Sequence, residues 1–156
     1  IEVLVSDKIR KRTTLAVKWS GATALPARSD RAVQEVMRST EDRGADQVIL
    51  CAGAPATIPL ALKMVRRGGK IHLFSGIHMG GSVEVDINSI YKREVSLFST
   101  YSSTPADLAE AFRLIRREEI PAADLITHRL PLSRIREGIE SIRNGKALKV
   151  VLDPSR

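Results

Sequence analysis

One cysteine, Cys51, stands in the 156 residues. A single thiol excludes an internal disulfide and a thiolate-rich zinc site. No apolar run approaches the roughly 18 residues that would mark a membrane-spanning helix. The first residues do not read as a secretory leader, because Glu2 interrupts them and no small-residue cleavage pattern follows. Internal repeats and low-complexity linkers are lacking too. So is a Gly-x-Gly-x-x-Gly run, the turn that sets a pyrophosphate against backbone N–H groups and a helix N-terminus. The location expected from these absences is cytoplasmic.

What is present is ordinary for a globular protein. Hydrophobic residues make up 43% and charged residues 28%, and the length can bury a real core with a small appendage. Lys and Arg number 25 against 18 Asp and Glu, a formal charge of +7. That balance suits an anionic partner such as nucleic acid, a nucleotide or an acidic neighbour. The basic residues are spread over several expected helices and not massed in one stripe, so a basic nucleic-acid-binding domain is the lesser reading.

Apolar spacing predicts an alternation of strands and helices. Glu2–Ser6 reads as a strand and Lys8–Trp19 as a helix with Leu15, Ala16 and Trp19 on one face, ended by Gly21. Ala24–Pro26 is a short strand. Ser29 or Asp30 caps a helix whose inward stripe is Val33, Val36 and Met37, and Gly44 closes it. Gln47–Cys51 is apolar through Val48, Ile49 and Leu50, as in a parallel strand covered on both faces. A helix from Pro55 to Arg66 buries Ile58, Leu62 and Val65, with Pro59 in its first turn and Gly68-Gly69 ending it. Lys70–Phe74 is the next strand, residues 76–84 a loop, Asp86 the cap of a short turn to Tyr91, and Glu94–Ser99 another strand. Thr104-Pro105-Ala106-Asp107 has a cap hydroxyl, a proline at the first helical position and an acid in the first turn, opening a helix to about Glu119. Leu125–Leu130 looks extended. Ser133 caps a last helix with Ile135, Ile139 and Ile142 aligned, Gly145 ends it, and Leu148–Leu152 is a final strand. This alternation predicts an α/β fold with a parallel sheet and helices on both faces.

The chain is organised around Ile1–Asp7, an apolar run ending in an acid and followed at once by a basic helical stretch. In a dinucleotide-binding fold the second strand ends this way, roughly 20 residues after the glycine turn, and its carboxylate accepts from the adenosine ribose hydroxyls. The expectation is a partial fold, lacking its first strand and glycine turn. Loss of that central strand should leave open apolar strand edges.

From Asp7 onward, several segments carry a resemblance. They are Gly44-Ala45-Asp46-Gln47-Val48-Ile49-Leu50-Cys51-Ala52-Gly53, Gly68-Gly69-Lys70-Ile71-His72-Leu73-Phe74, and Tyr91-Lys92-Arg93-Glu94-Val95. Leu125-Ile126-Thr127-His128-Arg129-Leu130-Pro131-Leu132 and Gly145-Lys146-Ala147-Leu148-Lys149-Val150-Val151-Leu152 complete the set. In order and spacing they resemble the zinc-dependent medium-chain alcohol and polyol dehydrogenases, the sorbitol- and threonine-dehydrogenase-like branch above all. The resemblance implies a partial Rossmann-type dinucleotide-binding domain over residues 1–102. Residues 103–156 would then return toward a catalytic domain that is absent. It also implies that the catalytic zinc ligands and the four-cysteine structural zinc lobe lie outside this chain. Cys51, His72, His78 and His128 have no ligand-like spacing.

The site residues follow from that resemblance. Asp7 resembles the ribose acid and would repel a 2′-phosphate, favouring NAD over NADP; its other role is to cap the following helix. Arg12 stands where the family often carries a basic residue facing the adenosine side, or on a solvated helix face. Cys51, Ala52 and Gly53 end a strand at the sheet's carboxyl edge, where ligands bind in open parallel sheets. Cys51 is expected to be a buried small apolar residue and not a nucleophile. Phe74, Ser75 and Gly76 end the next strand, where backbone groups would hold the nicotinamide amide; Ser75 replaces a common glycine. Ser96 and Phe98 match further positions that meet the nicotinamide. Lys149 resembles a basic residue that reaches the pyrophosphate, or is an exposed lysine on an edge strand. His128 reads as a packed, hydrogen-bonded residue and not a base.

The expected function is the cofactor-binding portion of an NAD(H)-dependent oxidoreductase acting on a secondary alcohol or polyol, inactive by itself. Zinc would belong to the complete protein only. The resemblance also implies a homo-oligomer formed through the Glu94–Ser99 edge, with no membrane partner. A non-catalytic module that dimerises or binds a partner is the alternative from another class.

Overall fold

The computed structural model describes residues 1–27, 30–76 and 81–155. The chain divides by its internal contacts into two compact units, Ile1–Ser102 and Ser103–Arg156. The first runs β1 (Leu4–Val5), α1 (Arg10–Ser20), β2 (Thr23–Ala24), α2 (Asp30–Ser39), β3 (Ala45–Leu50), α3 (Thr57–Met64), β4 (Val65–Leu73), α4 (Ile87–Arg93) and β5 (Ser96–Ser99). The second runs α5 (Pro105–Arg116), α6 (Ala122–Leu125), β6 (Ile126–Pro131), a single 3-10 turn at Leu132–Arg134, α7 (Ile135–Arg143) and β7 (Lys149–Asp153).

Every strand pair is parallel. In the first unit β1 pairs with β2, and β4 lies between β3 and β5. No ladder joins the two pieces among the described residues. The arrangement is what a doubly wound 3-2-1-4-5-6 sheet leaves when its first strand is taken out. The consequence reaches β3. Its apolar sequence predicts cover on both faces, yet Ile49 is 54% exposed. Among the described residues, the edge of β3 away from β4 has no partner strand to bring cover with it. The core lies instead where α3 and α4 close over β4: Ala61, Val65, Ile71 and Val95, with Val48, Leu50, Leu62, Leu73 and Ile90 against them.

Local chemistry sets the element ends. Gly21, at φ 67°, closes α1 with its N–H on the Val17 carbonyl, a left-handed cap that glycine adopts without steric cost. Pro59 lies in the first turn of α3. That helix ends at Met64, two residues before the expected Arg66, because Val65 turns extended and the Arg93 guanidinium donates to the Leu62 and Val65 carbonyls. Gly68 and Gly69 therefore lie inside β4, in a bulge between Ala45↔Val65 and Gln47↔Lys70. Glu94, expected to open a strand, instead closes α4 at φ 56°. Asp30 is the first residue of α2; the alternative cap at Ser29 lies outside the described residues, as do His78 and residues 77–80 of the expected loop.

In the second unit the Thr104 hydroxyl and the Asp107 carboxylate form a reciprocal capping box at the start of α5. Ser133 does not cap α7; it sits in the 3-10 turn that leads into it. The aligned isoleucines of α7 are not its buried face. Ile135, Ile139 and Ile142 are 43%, 44% and 49% exposed, while Gly138 is buried. A Cβ at Gly138 would stand 3.0 Å from the Val150 side chain, so the helix sits on β7 through its smallest residue.

Candidate functional site

The carboxyl ends of β3, β4 and β5 come level through the pairs Leu50↔Leu73 and Leu73↔Ser99. Beyond them the chain turns away in loops, and these pack closely. The N–H groups of Phe74 and Ser75 both donate to the Leu50 carbonyl, at 3.1 and 3.0 Å. Gly53 lies so near the next loop that a Cβ there would overlap the Gly76 carbonyl oxygen. The Ser75 hydroxyl turns toward that same carbonyl. Cys51, Ala52, Gly53, Phe74, Ser75 and Gly76 are thus brought together at one edge.

Aromatic rings flank this edge. His72 stacks on Phe98 with centroids 4.6 Å apart and planes 10° from parallel, and meets Phe74 edge-on at 5.8 Å. His72 Nε2 lies 2.9 Å from the Thr100 hydroxyl. Phe74 is 62% exposed, leaving a flat apolar surface available to a planar ligand. Neither His72 nor Thr100 was singled out by the sequence. The signal was there in the period-two pattern, which puts His72 of β4 and Phe74 just past its end on one face.

Asp7 stands just beyond β1, with Ser6 between them. One carboxylate oxygen accepts from the Ile9 N–H at 2.7 Å, and the other meets Arg12 at 3.5 Å. The acid thus organises the turn into α1 and holds Arg12 beside it, with lone pairs left on both oxygens for further donors. An Arg12 paired in this way is partly neutralised as an anion receptor.

Ser96 opens β5, paired with Lys70, about 10 Å of strand before Ser99. One expectation needs correction. Cys51 is exposed, not buried, because β3 ends at an uncovered edge. Nearby protein still pushes the thiol up from its ordinary pKa, which keeps it protonated and a poor nucleophile.

Residues 1–117 match the family described as zinc-binding dehydrogenase. The chain belongs to that family. It is 27% identical over 157 residues to an L-threonine 3-dehydrogenase from Bacillus licheniformis, covering 98% of this chain and 44% of that protein. A sorbitol dehydrogenase from Halalkalibacterium halodurans is 28% identical over 119 residues, 76% of this chain and 34% of its own length. An alcohol dehydrogenase from a Thermus species superposes with a TM-score of 0.87 at 27% identity, covering 97% of this chain and 43% of that one. The chain spans less than half the length of these relatives.

The family description implies zinc, and the donors here do not fit one. Among the described residues no three or more His, Cys, Asp or Glu side chains are grouped to hold a metal ion. Lys149, in the second unit, is exposed at the start of β7. His128 is half-buried, its Nδ1 2.9 Å from the Thr127 hydroxyl, which itself accepts from the Leu148 N–H. Among the described residues, no helix is long and apolar enough to cross a membrane.

Proposed function

We propose that this chain is the cofactor-binding portion of an NAD(H)-dependent oxidoreductase acting on a secondary alcohol or polyol. The observation that carries the reading is Asp7, a carboxylate at the carboxyl end of a parallel strand, tied to the Ile9 amide and still able to accept two ribose hydroxyls. A 2′-phosphate would meet its negative charge, which favours NAD over NADP. The carboxyl-edge loops at Gly53 and Gly76 and the exposed Phe74 offer backbone groups and a flat face to the nicotinamide. When bound, the nicotinamide supplies hydride chemistry, and this chain's residues orient it and exclude water. Substrate and zinc belong to the complete protein. Self-association through the open edge of β5 is part of the same reading, supported by Leu97 and Phe98, 41% and 39% exposed.

Binding to this chain alone is expected to be weak, with Kd near 1 mM, about −4 kcal/mol. Phosphate-cradling N–H groups on a glycine turn are lacking. Saturation-transfer NMR with millimolar NAD⁺ and NADP⁺ tests the reading. The expected result is adenosine-ribose contact for NAD⁺, weakened by Asp7→Ser together with a loss of discrimination against NADP⁺. Equal signals for both cofactors in both proteins would overturn it.

A further inference from the structure

Five cationic side chains meet at the opposite, amino-terminal edge of the β3–β4–β5 sheet. Arg43, Lys63, Arg66, Arg67 and Arg93 line an open cavity of about 550 Å³ together with Asp42. They come from four places: the loop before β3, the end of α3, the start of β4 and the end of α4. Sequence spacing scatters them over the chain, and the fold gathers them. Gly44 makes the gathering possible. At φ +87° it passes so close to β4 that a Cβ would stand 2.9 Å from the Arg66 amide nitrogen.

Their charges are unevenly answered. Arg43 and Arg66 share the Asp46 carboxylate, and Lys63 pairs with Asp30. Arg67 donates to the Lys92 carbonyl and Arg93 to the Leu62 and Val65 carbonyls. Among the described residues neither forms an ion pair. Five cations set against Asp30, Asp42 and Asp46 leave a surplus of two positive charges. Clustered like charges destabilise a fold by repulsion unless an anion is present.

We propose that this cavity binds a small oligophosphate, a ligand with two or more phosphoryl groups, through Arg67 and Arg93. Each guanidinium carries five donors in a planar fork that matches phosphoryl oxygens, and the carbonyl bonds use only part of that set. The volume is in the range of a small-molecule site. The backbone bonds hold both forks in place before a ligand arrives, which lowers the ordering cost of binding. Asp42 at the rim opposes the anion and limits affinity. The site lies across the sheet from the edge proposed for NAD, and the two readings stand independently.

Calorimetry with inorganic triphosphate, orthophosphate and citrate tests the proposal, on wild type, Arg67→Gln and Asp42→Asn. Triphosphate is expected to bind well above orthophosphate and citrate. Arg67→Gln should lose on the order of tenfold, as charge-assisted bonds are removed. Asp42→Asn should bind more tightly, a gain that a folding defect cannot produce, and asparagine tolerates the left-handed backbone there (φ 59°). Asp7→Ser should leave triphosphate binding unchanged, which separates this site from the cofactor edge. No triphosphate binding, or equal affinity in all three proteins, would overturn the proposal. So would single-stranded DNA that binds more tightly than triphosphate with affinity rising with length, because the ligand would then be an extended polyanion.

Discussion

Arg66 donates through Nε to an Asp46 oxygen at 2.6 Å, reaching across 20 residues of chain to the carboxylate that Arg43 also grips at 2.6 and 3.0 Å. One acid thus ties the entry of β3 to the start of β4. Hydrogen bonds from Arg43, then Arg66, hold the Asp46 carboxyl well below the usual carboxylate range. A depressed folded pKa means that the folded state favours the ionised acid. Its contribution is present above the unfolded value, about 3.9, and fades as pH falls from about 5 toward the depressed folded value. Thermal melts of wild type and Asp46→Asn should differ at pH 7 and converge toward pH 2. A constant gap across that range would show that the arginines do not act through the ionised acid.

Gly53 and Gly76 make a matched test of the carboxyl edge. A Cβ at Gly53 overlaps the Gly76 carbonyl oxygen, and backbone cannot yield cheaply; among the described residues, a Cβ at Gly76 meets nothing within 4 Å. Gly53→Ala is expected to cost about 1–3 kcal/mol in urea unfolding and to weaken the NAD⁺ saturation-transfer signal. Gly76→Ala should change stability little. Equal effects from the two substitutions would mean that the loops are not packed as described.

The helix start at Thr104 was legible in the sequence, because the cap hydroxyl, the proline and the acid each act within one helical turn. Parallel strand–helix alternation was legible for the same reason: it is written in local periodicity. What escaped the sequence depends on distant chain. The end of α3 at Met64 is set by Arg93, some thirty positions away in sequence. Ile49 reads as core because its neighbours are apolar, but its exposure follows from a strand that is not beside it. The cationic cavity was invisible, since its members stand apart until Gly44 and the β4 bulge bring them together.

For α5, Thr104→Ala removes the hydroxyl that accepts from the Asp107 N–H. A loss of about 1 kcal/mol is expected from unfolding curves. Asp107 is held below its usual carboxylate range first by the Thr104 N–H, which the alanine retains. Asp107→Asn should therefore reduce stability further above about pH 5 than at pH 2, by the same sign as for Asp46. A Thr104→Ala chain as stable as wild type would show that solvent replaces the cap.

If the proposed self-association holds, the open edge of β5 is where it forms. Its other edge is bonded to β4, and Ser96–Ser99 has no further strand beside it among the described residues. Leu97 and Phe98 make that edge apolar, and Glu94 and Arg93 guard only its start. An unguarded edge pairs with whatever strand it meets. Pairing with its own copy about a two-fold axis would use one patch twice and close on itself. The rival is pairing at β3, whose free edge exposes Ile49 and would give open, irregular aggregates. Proline at Leu97 removes a backbone donor and suits neither ladder of β5. Sedimentation equilibrium should show a dimer for wild type and a monomer for Leu97→Pro, with circular dichroism confirming that the variant folds. Ile49→Lys should leave the dimer intact while reducing aggregation. A folded Leu97→Pro that remains dimeric would move the interface away from β5, and dissociation by Ile49→Lys would place it on β3.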